Sequence, residues 1–395
     1  MISFFGYGKT TRALADKLGD AIFYDDNVNK PFTDEKGHKV RPSSEFQAKY
    51  SRLEIPSPGM KPSHPLIQQA QNLMSEYDYF ADTMPPSVWI SGTNGKTTTT
   101  QMVQTLLASH GSQEGGNIGT PLAELDTEAS LWILETSSFT LHYTNKVAPQ
   151  VYILLPITPD HLYWHGSMTE YEEAKLKPLS MMKEGDAVII PKKYENYPTQ
   201  AMKITYEDNE DLADYFNIDS SKLKFKGAFL QDALLALGVS KILFDECNYE
   251  LLNSMELDAH RQEELHDKNG RLWVNDSKAT NLDATVQAIK VYQDKPLSLI
   301  LGGDDKGVDL TPLFELLKGL ELHIYAIGAN EKKLLSLAKR FEINISTCKT
   351  LEKACEKIKE DGSDSVVLLS PAAASLDQFN SYGERGDKFK EFALL

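Results

Sequence analysis

Apolar and polar positions alternate along the chain in a repeating rhythm of short strand, polar turn and helix. Residues 2–5 are apolar, Gly6-Tyr7-Gly8 turns, residues 10–18 have helical character, and residues 21–24 form a second apolar run ending in Asp25-Asp26. That order predicts the opening of a nucleotide-binding βαβ unit. A dinucleotide fingerprint would place a third glycine where Thr11 stands, so the turn by itself fits a plain βα connection as well as a ligand site. The segment Ile55-Pro56-Ser57-Pro58-Gly59-Met60-Lys61-Pro62 reads as a loop, and Met84-Pro85-Pro86 as a linker.

A second segment begins with strand 88–91, which runs directly into Gly92-Thr93-Asn94-Gly95-Lys96-Thr97. Apolar runs at 131–134 and 151–155 follow, each with polar residues at its C-terminal end. From about residue 258 the alternation becomes regular. Strands are expected at 271–275, 297–301, 322–327 and 365–370, with another at 344–348, and helices at 281–292, 311–320, 331–341 and 350–361. Leu282, Val286 and Ile289, for example, share one helical face. Strands alternating with helices predict an α/β protein with doubly wound parallel sheets.

Composition narrows the chemistry. A chain of 395 residues with 41% hydrophobic and 25% charged residues is an ordinary globular protein of two or three domains. Its 57 acidic and 41 basic residues give a net charge of −16, a surface that repels nucleic acid and anionic membrane. Any phosphate-bearing ligand therefore needs a local site. No apolar run approaches the roughly 20 residues that span a bilayer, and the opening apolar run meets Gly6 too soon for a signal-peptide core. Three cysteines with no Cys-x-x-Cys pair fit reduced cytosol. The expectation is a cytoplasmic chain with neither nucleic-acid nor membrane partner.

The sharpest motif is Gly92-Thr93-Asn94-Gly95-Lys96-Thr97, between a strand and a helix. Glycines let backbone N–H groups and the helix N-terminus approach an anion. Lys96 would neutralise β- and γ-phosphates and the Thr97 hydroxyl would bind Mg²⁺. Glu135, ending an apolar strand, suits a hard cation, although an acidic strand end can equally be a cap. Asp160-His161 follows the next apolar run. Lys175, in Tyr171-Glu172-Glu173-Ala174-Lys175-Leu176, reads locally as a solvated helix lysine. Three polar loops follow strands of the last segment: Asn275-Asp276-Ser277-Lys278-Ala279-Thr280-Asn281, Gly302-Gly303-Asp304-Asp305-Lys306-Gly307 and Ser370-Pro371-Ala372-Ala373-Ala374-Ser375. Each could be a turn; together they favour one crevice edge, where Asp276 would accept ribose hydroxyls.

These motifs, with Gly116-Asn117-Ile118-Gly119, Glu135-Thr136-Ser137-Ser138-Phe139 and Ser375-Leu376-Asp377-Gln378-Phe379, occur in an order that resembles the Mur ligases over essentially the whole chain. The resemblance implies an ATP-dependent amide ligase of peptidoglycan precursor synthesis, monomeric, with UDP-N-acetylmuramoyl-L-alanine, D-glutamate and ATP as substrates. It implies a Rossmann-like UDP-binding domain at 1–83, a central ATP-binding P-loop domain at 84–257 and a Rossmann-like amino-acid-binding domain at 258–395. It assigns ATP to Gly92, Thr93, Asn94, Gly95, Lys96, Thr97, Thr98, Arg261 and Asp276. Thr97, Glu135, His161 and Lys175, the last as a carbamate, are implied as Mg²⁺ ligands. Thr10, Asp25, Ser57, Asn117, Ser137 and His161 fall to the nucleotide sugar, and Thr280, Lys306, Ser375 and Tyr382 to D-glutamate. Lys96, His161, Lys175 and Arg261 carry the catalytic assignment.

The sequence departs from the family pattern in three places. Gly227-Ala228-Phe229-Leu230-Gln231-Asp232-Ala233 lacks the histidine and asparagines of the usual adenine segment. Tyr163-Trp164 replaces an Asp-Arg pair after Asp160-His161-Leu162, and Asp26 and Asn27 stand where relatives carry Thr and Arg. Alternatives are a folylpolyglutamate-type or other Mur-type ligase, a nicotinamide oxidoreductase suggested by Gly6 and Gly8, a simple phosphotransferase, and a non-catalytic binding module.

Overall fold

The computed structural model describes residues 1–19 and 21–395, which build three largely parallel sheets. Two compact units contain them: residues 1–225 with 229–255, and residues 226–228 with 256–395. The first unit holds two sheets and the second unit one.

The first sheet comprises β1 (Ile2–Phe5), β2 (Ala21–Asp25), β3 (Phe32–Thr33), β4 (Lys39–Pro42) and β5 (Leu53–Pro56), in the order β3-β4-β2-β1-β5. All neighbours run parallel except the β3–β4 hairpin. Chain connections leave β1 toward opposite sides, so its C-terminal end is the switch point where a crevice opens. Thr11, on helix Lys9–Leu18, explains the missing third glycine. Its buried hydroxyl donates back to Gly6 O at 2.7 Å and closes the turn with a side chain.

The second sheet comprises β6 (Ser87–Ser91), β7 (Ser112–Gly116), β8 (Leu131–Glu135), β9 (Val151–Leu154), β10 (Ala187–Pro191) and β11 (Met202–Tyr206). Its order is β11-β10-β9-β6-β8-β7, and every pair is parallel. Strands covered on both faces need continuous apolar runs; Val88, Trp89 and Ile90, like Trp132, Ile133 and Leu134, are fully buried. One core runs through this unit, from Phe4 and Phe23 past Tyr77 and Phe80 to Trp89 and Trp132. The switch point lies at β6, between β9 and β8.

The second unit's sheet comprises β12 (Glu263–His266), β13 (Leu272–Asn275), β14 (Leu297–Gly302), β15 (Leu322–Ile327), β16 (Ile345–Lys349) and β17 (Val366–Leu369), ordered β12-β13-β17-β14-β15-β16. Only β12 is antiparallel. The last strand inserts between β13 and β14, so the three polar loops follow adjacent strands. The helix expected at 311–320 ends earlier, as Thr311–Leu317. No helix among the described residues is long and apolar enough to cross a membrane.

Candidate active site

The phosphate-loop motif leaves β6 at its C-terminal end and enters helix Lys96–Leu107. Gly92 has φ +141°, and a Cβ there would stand 2.4 Å from Leu155 Cβ; Gly95 is left-handed at φ +84°. Both positions require glycine, which lets the loop wrap closely. Lys96 folds over its own loop, its Nζ donating to Gly92 O at 3.0 Å and Thr93 O at 2.8 Å. Thr93 ties the loop to the end of β9. Its hydroxyl bonds Thr158 O at 3.0 Å and lies 3.1 Å from the Tyr171 hydroxyl.

Thr97, in the first turn, donates to Glu135 Oε2 at 2.8 Å, and Asn117 Nδ2 donates to Glu135 Oε1 at 2.6 Å. Thr97, Asn117 and Glu135, predicted separately, are thus brought together. Thr98 is buried, with no hydrogen-bond partner for its Oγ1 among the described residues. Lys175 is not a solvated helix residue: it is 2% exposed, and its Nζ donates to Gly92 O at 2.8 Å and Ser91 Oγ at 3.4 Å. Burial, and then the nearby Lys96 ammonium, push its pKa well below the lysine range. His161 is left-handed at φ 52°, its Nε2 lies 3.5 Å from Asp160 Oδ2, and its ring packs 4.8 Å from that of Phe139.

Mg²⁺ is favoured by hard oxygen donors and needs only one or two carboxylates beside waters and phosphate oxygens. The Thr97–Glu135 hydroxyl–carboxylate pair fits that requirement. Among the described residues no cluster of three or more His, Cys, Asp or Glu forms a closed metal cage. Lys175 as an ammonium is a donor, and only its carbamate would join such a set.

At the first sheet's switch point, Asp25 accepts from Tyr7 N at 2.7 Å and Asn27 N at 2.8 Å. A Cβ on Gly6 would stand 3.1 Å from Ser57 Cβ, so the loops after β1 and β5 face each other closely. Thr10, half-buried, opens the helix beside them. Lys9 Nζ donates to Gly119 O, joining this turn to the loop of Asn117. Ser137 caps helix Ser138–Tyr143, accepting from Thr140 N at 3.1 Å.

In the second unit, Asp276 N donates to Leu369 O at 2.9 Å, and Ala372 N to Ala279 O at 3.1 Å. Backbone bonds between Asp304 and Ala374 tie in the third loop. Asp276 faces inward, accepting from Ser370 Oγ at 2.8 Å and Gln262 N at 3.3 Å. Burial raises its carboxyl to about 7 against the pull of these partners and Arg261. The buried Arg261 Nε has no hydrogen-bond partner among the described residues, and Asp258 stands 3.7 Å away. Thr280, Lys306 and Tyr382 are exposed, whereas Ser375 is buried.

Sequence reasoning missed Arg385, which organises these loops. It is 1% exposed, and its guanidinium donates to Ser277 Oγ (2.9 Å), Ser277 O (2.7 Å) and Ala373 O (3.1 Å). Its surroundings in Tyr382-Gly383-Glu384-Arg385-Gly386 look like any surface helix start. Only the unusual Gly386, where a Cβ would stand 2.2 Å from His260 Nδ1, marks close packing there. Tyr171 and Asp232 were also missed. Asp232, buried, accepts from Thr99 Oγ1 at 2.9 Å beneath the phosphate loop.

Against known families, residues 90–233 match the Mur ligase middle domain. A UDP-N-acetylmuramoylalanine–D-glutamate ligase of Campylobacter jejuni is 55% identical over 99% of this chain and 98% of its own length. One from Helicobacter pylori is 46% identical over 100% of this chain and 99% of its own. The solved structure of MurF ligase from Thermotoga maritima in complex with ADP shares the fold, with a TM-score of 0.59 and 15% identity over 94% of each chain. A phosphate loop at the central switch point, a Thr97–Glu135 pair beneath it and full-length likeness converge: the chain belongs to the Mur ligase family, in its UDP-N-acetylmuramoylalanine–D-glutamate ligase branch.

Proposed function

We propose that this chain joins D-glutamate to UDP-N-acetylmuramoyl-L-alanine, converting ATP to ADP and phosphate. The observation that carries the reading is the Gly92–Thr97 loop at the β6 switch point with Thr97 held on Glu135. Residues 1–83 are assigned to the nucleotide sugar, 84–257 to ATP and 258–395 to the amino acid. The enzyme is proposed to act as a cytoplasmic monomer.

A carboxylate needs a better leaving group than oxide before an amine can displace it. The L-alanine carboxylate attacks the γ-phosphorus, giving an acyl phosphate and ADP. The D-glutamate amine, having lost a proton from its ammonium form, then attacks the acyl carbon. The tetrahedral intermediate collapses to the amide and inorganic phosphate. Negative charge spreads over phosphoryl oxygens, so positioning and positive charge dominate the rate. Lys96 supplies that charge by exchanging the carbonyls of Gly92 and Thr93 for phosphate oxygens; Arg261 is assigned to ATP phosphate. Thr97 and Glu135 would hold Mg²⁺, which neutralises the phosphates when bound. His161, and Lys175 as a carbamate, complete the assignment. Asp276 is assigned to the ATP ribose, Thr10, Asp25, Ser57, Asn117 and Ser137 to the nucleotide sugar, and Lys306, Thr280, Ser375 and Tyr382 to D-glutamate.

The test is phosphate release with UDP-N-acetylmuramoyl-L-alanine against a panel of D- and L-amino acids. Stimulation by D-glutamate alone is expected; equal stimulation by L-alanine or a diamino acid would overturn the assignment. For Lys175, short carboxylates are expected to restore turnover to Lys175→Ala. Full activity of that variant without rescue would dismiss the carbamate.

A further inference from the structure

The replacement of Asp-Arg by Tyr163-Trp164 has a structural consequence. Trp164 is 6% exposed, on the short helix Leu162–His165 after β9. Its indole Nε1 donates to Gly59 O at 2.9 Å. Tyr143, also 6% exposed and ending helix Ser138–Tyr143, donates its hydroxyl to Met60 O at 2.7 Å. Two buried side chains beside the central sheet therefore hold adjacent carbonyls of the loop that leaves β5, three residues after Pro56. That loop forms one wall of the crevice at the β1 switch point, facing Gly6 through Ser57.

The two anchors share one aromatic block. Trp164 packs 4.7 Å from Phe139 and 4.5 Å from His165 (centroid to centroid), and His142 lies 5.0 Å from Tyr143 and 5.2 Å from Trp164. Phe139 also carries His161, and His165 lies 5.2 Å from Tyr171, whose hydroxyl meets Thr93 of the phosphate loop. An arginine at 164 would bring a charge into this packed block, whereas indole fills it and offers a single N–H. Aromatic rings fix their polar atoms with few rotatable bonds. The block is thus a rigid spacer between the phosphate loop and the Ser57–Gly59 wall.

We propose that Trp164 and Tyr143 are positioning residues that set the nucleotide-sugar crevice by fixing the Gly59 and Met60 carbonyls. The proposal rests on the ligase reading for its substrate. It does not place either residue on the reacting atoms.

The test is titration calorimetry of UDP-N-acetylmuramoyl-L-alanine into wild type, Trp164→Phe and Tyr143→Phe, without ATP, alongside steady-state kinetics. Each variant keeps a ring and loses one donor. Nucleotide-sugar affinity is expected to weaken about three- to tenfold in each, with KM for that substrate rising in step. kcat and the KM values for ATP and D-glutamate are expected to change less than the KM for the nucleotide sugar, since each variant keeps a ring in the block and the donors it loses are bonded to the Gly59 and Met60 carbonyls. A merely structural role would lower the melting temperature and leave the affinity unchanged, which overturns the proposal. Equal rises in all three KM values overturn it as well. If wild type fails to bind the nucleotide sugar, the ligase reading falls with it; if wild type binds and the variants match it, only the positioning role falls.

Discussion

The phosphate-loop region of the first unit and the polar-loop region of the second prepare for charge in opposite ways. In the first, the two lysines and the carboxylate are already engaged inside the protein. Lys96 sits on Gly92 O and Thr93 O, Lys175 on Gly92 O and Ser91, and Glu135 accepts from Thr97 and Asn117. In the second, three of the four groups assigned to the amino acid stay open: Lys306, Thr280 and Tyr382 are exposed and Ser375 is buried, while Arg385 clamps the loops of Thr280 and Ser375 from beneath. A site for a triphosphate can hold its charges in internal bonds, because the ligand brings enough charge to replace them. A small amino acid cannot, so its charged ligand, Lys306, is left solvated over a buried scaffold.

The largest expected effect breaks the first arrangement. Lys96→Ala removes a side chain poised to exchange the Gly92 and Thr93 carbonyls for phosphate oxygens, and kcat is expected to fall at least about 100-fold. Binding of the nucleotide sugar, measured by calorimetry, should persist. Turnover at the wild-type rate would show that the loop does not seat ATP.

Arg385 tests the buried scaffold. Arg385→Met keeps much of the stem but leaves Ser277 O and Ala373 O without their donor, in a site that excludes water. Losing such charge-assisted bonds is expected to cost about 2–5 kcal/mol of the second unit's stability, read as a lower denaturant midpoint. KM for D-glutamate should rise while affinity for the nucleotide sugar holds. An unchanged midpoint would mean that the loops keep their shape without the guanidinium.

Lys306 tests the open ligands. Lys306→Glu reverses an exposed charge held on a left-handed residue at φ 51°, so folding should be little affected. KM for D-glutamate is expected to rise about tenfold or more. An equal rise in KM for ATP would move Lys306 away from the amino-acid carboxylate.

The same contrast governs what could be read from the sequence. Parallel strands covered on both faces announce themselves as apolar runs, so β1, β6, β8, β9 and β14 were legible, and so was the motif following β6. β7 was not: Ser112-Gln113-Glu114-Gly115-Gly116 contains no apolar side chain and exists as a strand through its ladder to β8. β12 likewise reads Glu-Glu-Leu-His and pairs antiparallel at the sheet edge. Helix Ala228–Phe244 is apolar on nearly every face because it is largely buried, which erases the periodicity that marks a surface helix. Within the site, glycines and terminal carboxylates were visible because their chemistry is local. Arg385, Tyr171 and Trp164 act through contacts distant in sequence, and one residue type cannot reveal a partner 78 to 108 positions away. Lys175 looked solvated for the same reason.

The smallest effect concerns buried protons, one in each unit. Glu76, on helix Glu76–Tyr79 of the first unit, is held near 8 by burial, despite backbone N–H groups of Ala123 and Leu122 that favour its charged form. Asp276 in the second unit is held near 7, again chiefly by burial. Both values lie above those of the unfolded chain, so the native state keeps protons that the unfolded state releases. Each contribution is complete below the unfolded value and is lost as pH rises through the folded one. For Glu76 that window runs from about 4.5 to about 8, and for Asp276 from about 3.8 to about 7. Each proton contributes a slope of up to about 1.4 kcal/mol per pH unit. His165, lowered to about 4 by burial and by its cationic neighbours, opposes this below its ordinary value, so variants must be compared with wild type at each pH. Glu76→Gln should gain stability over wild type as pH rises from 5 to 8 and flatten the first unit's transition; Asp276→Asn should do so for the second unit, over its lower window. Parallel curves for wild type and Glu76→Gln across that range would show that the glutamate is already ionised in the folded chain.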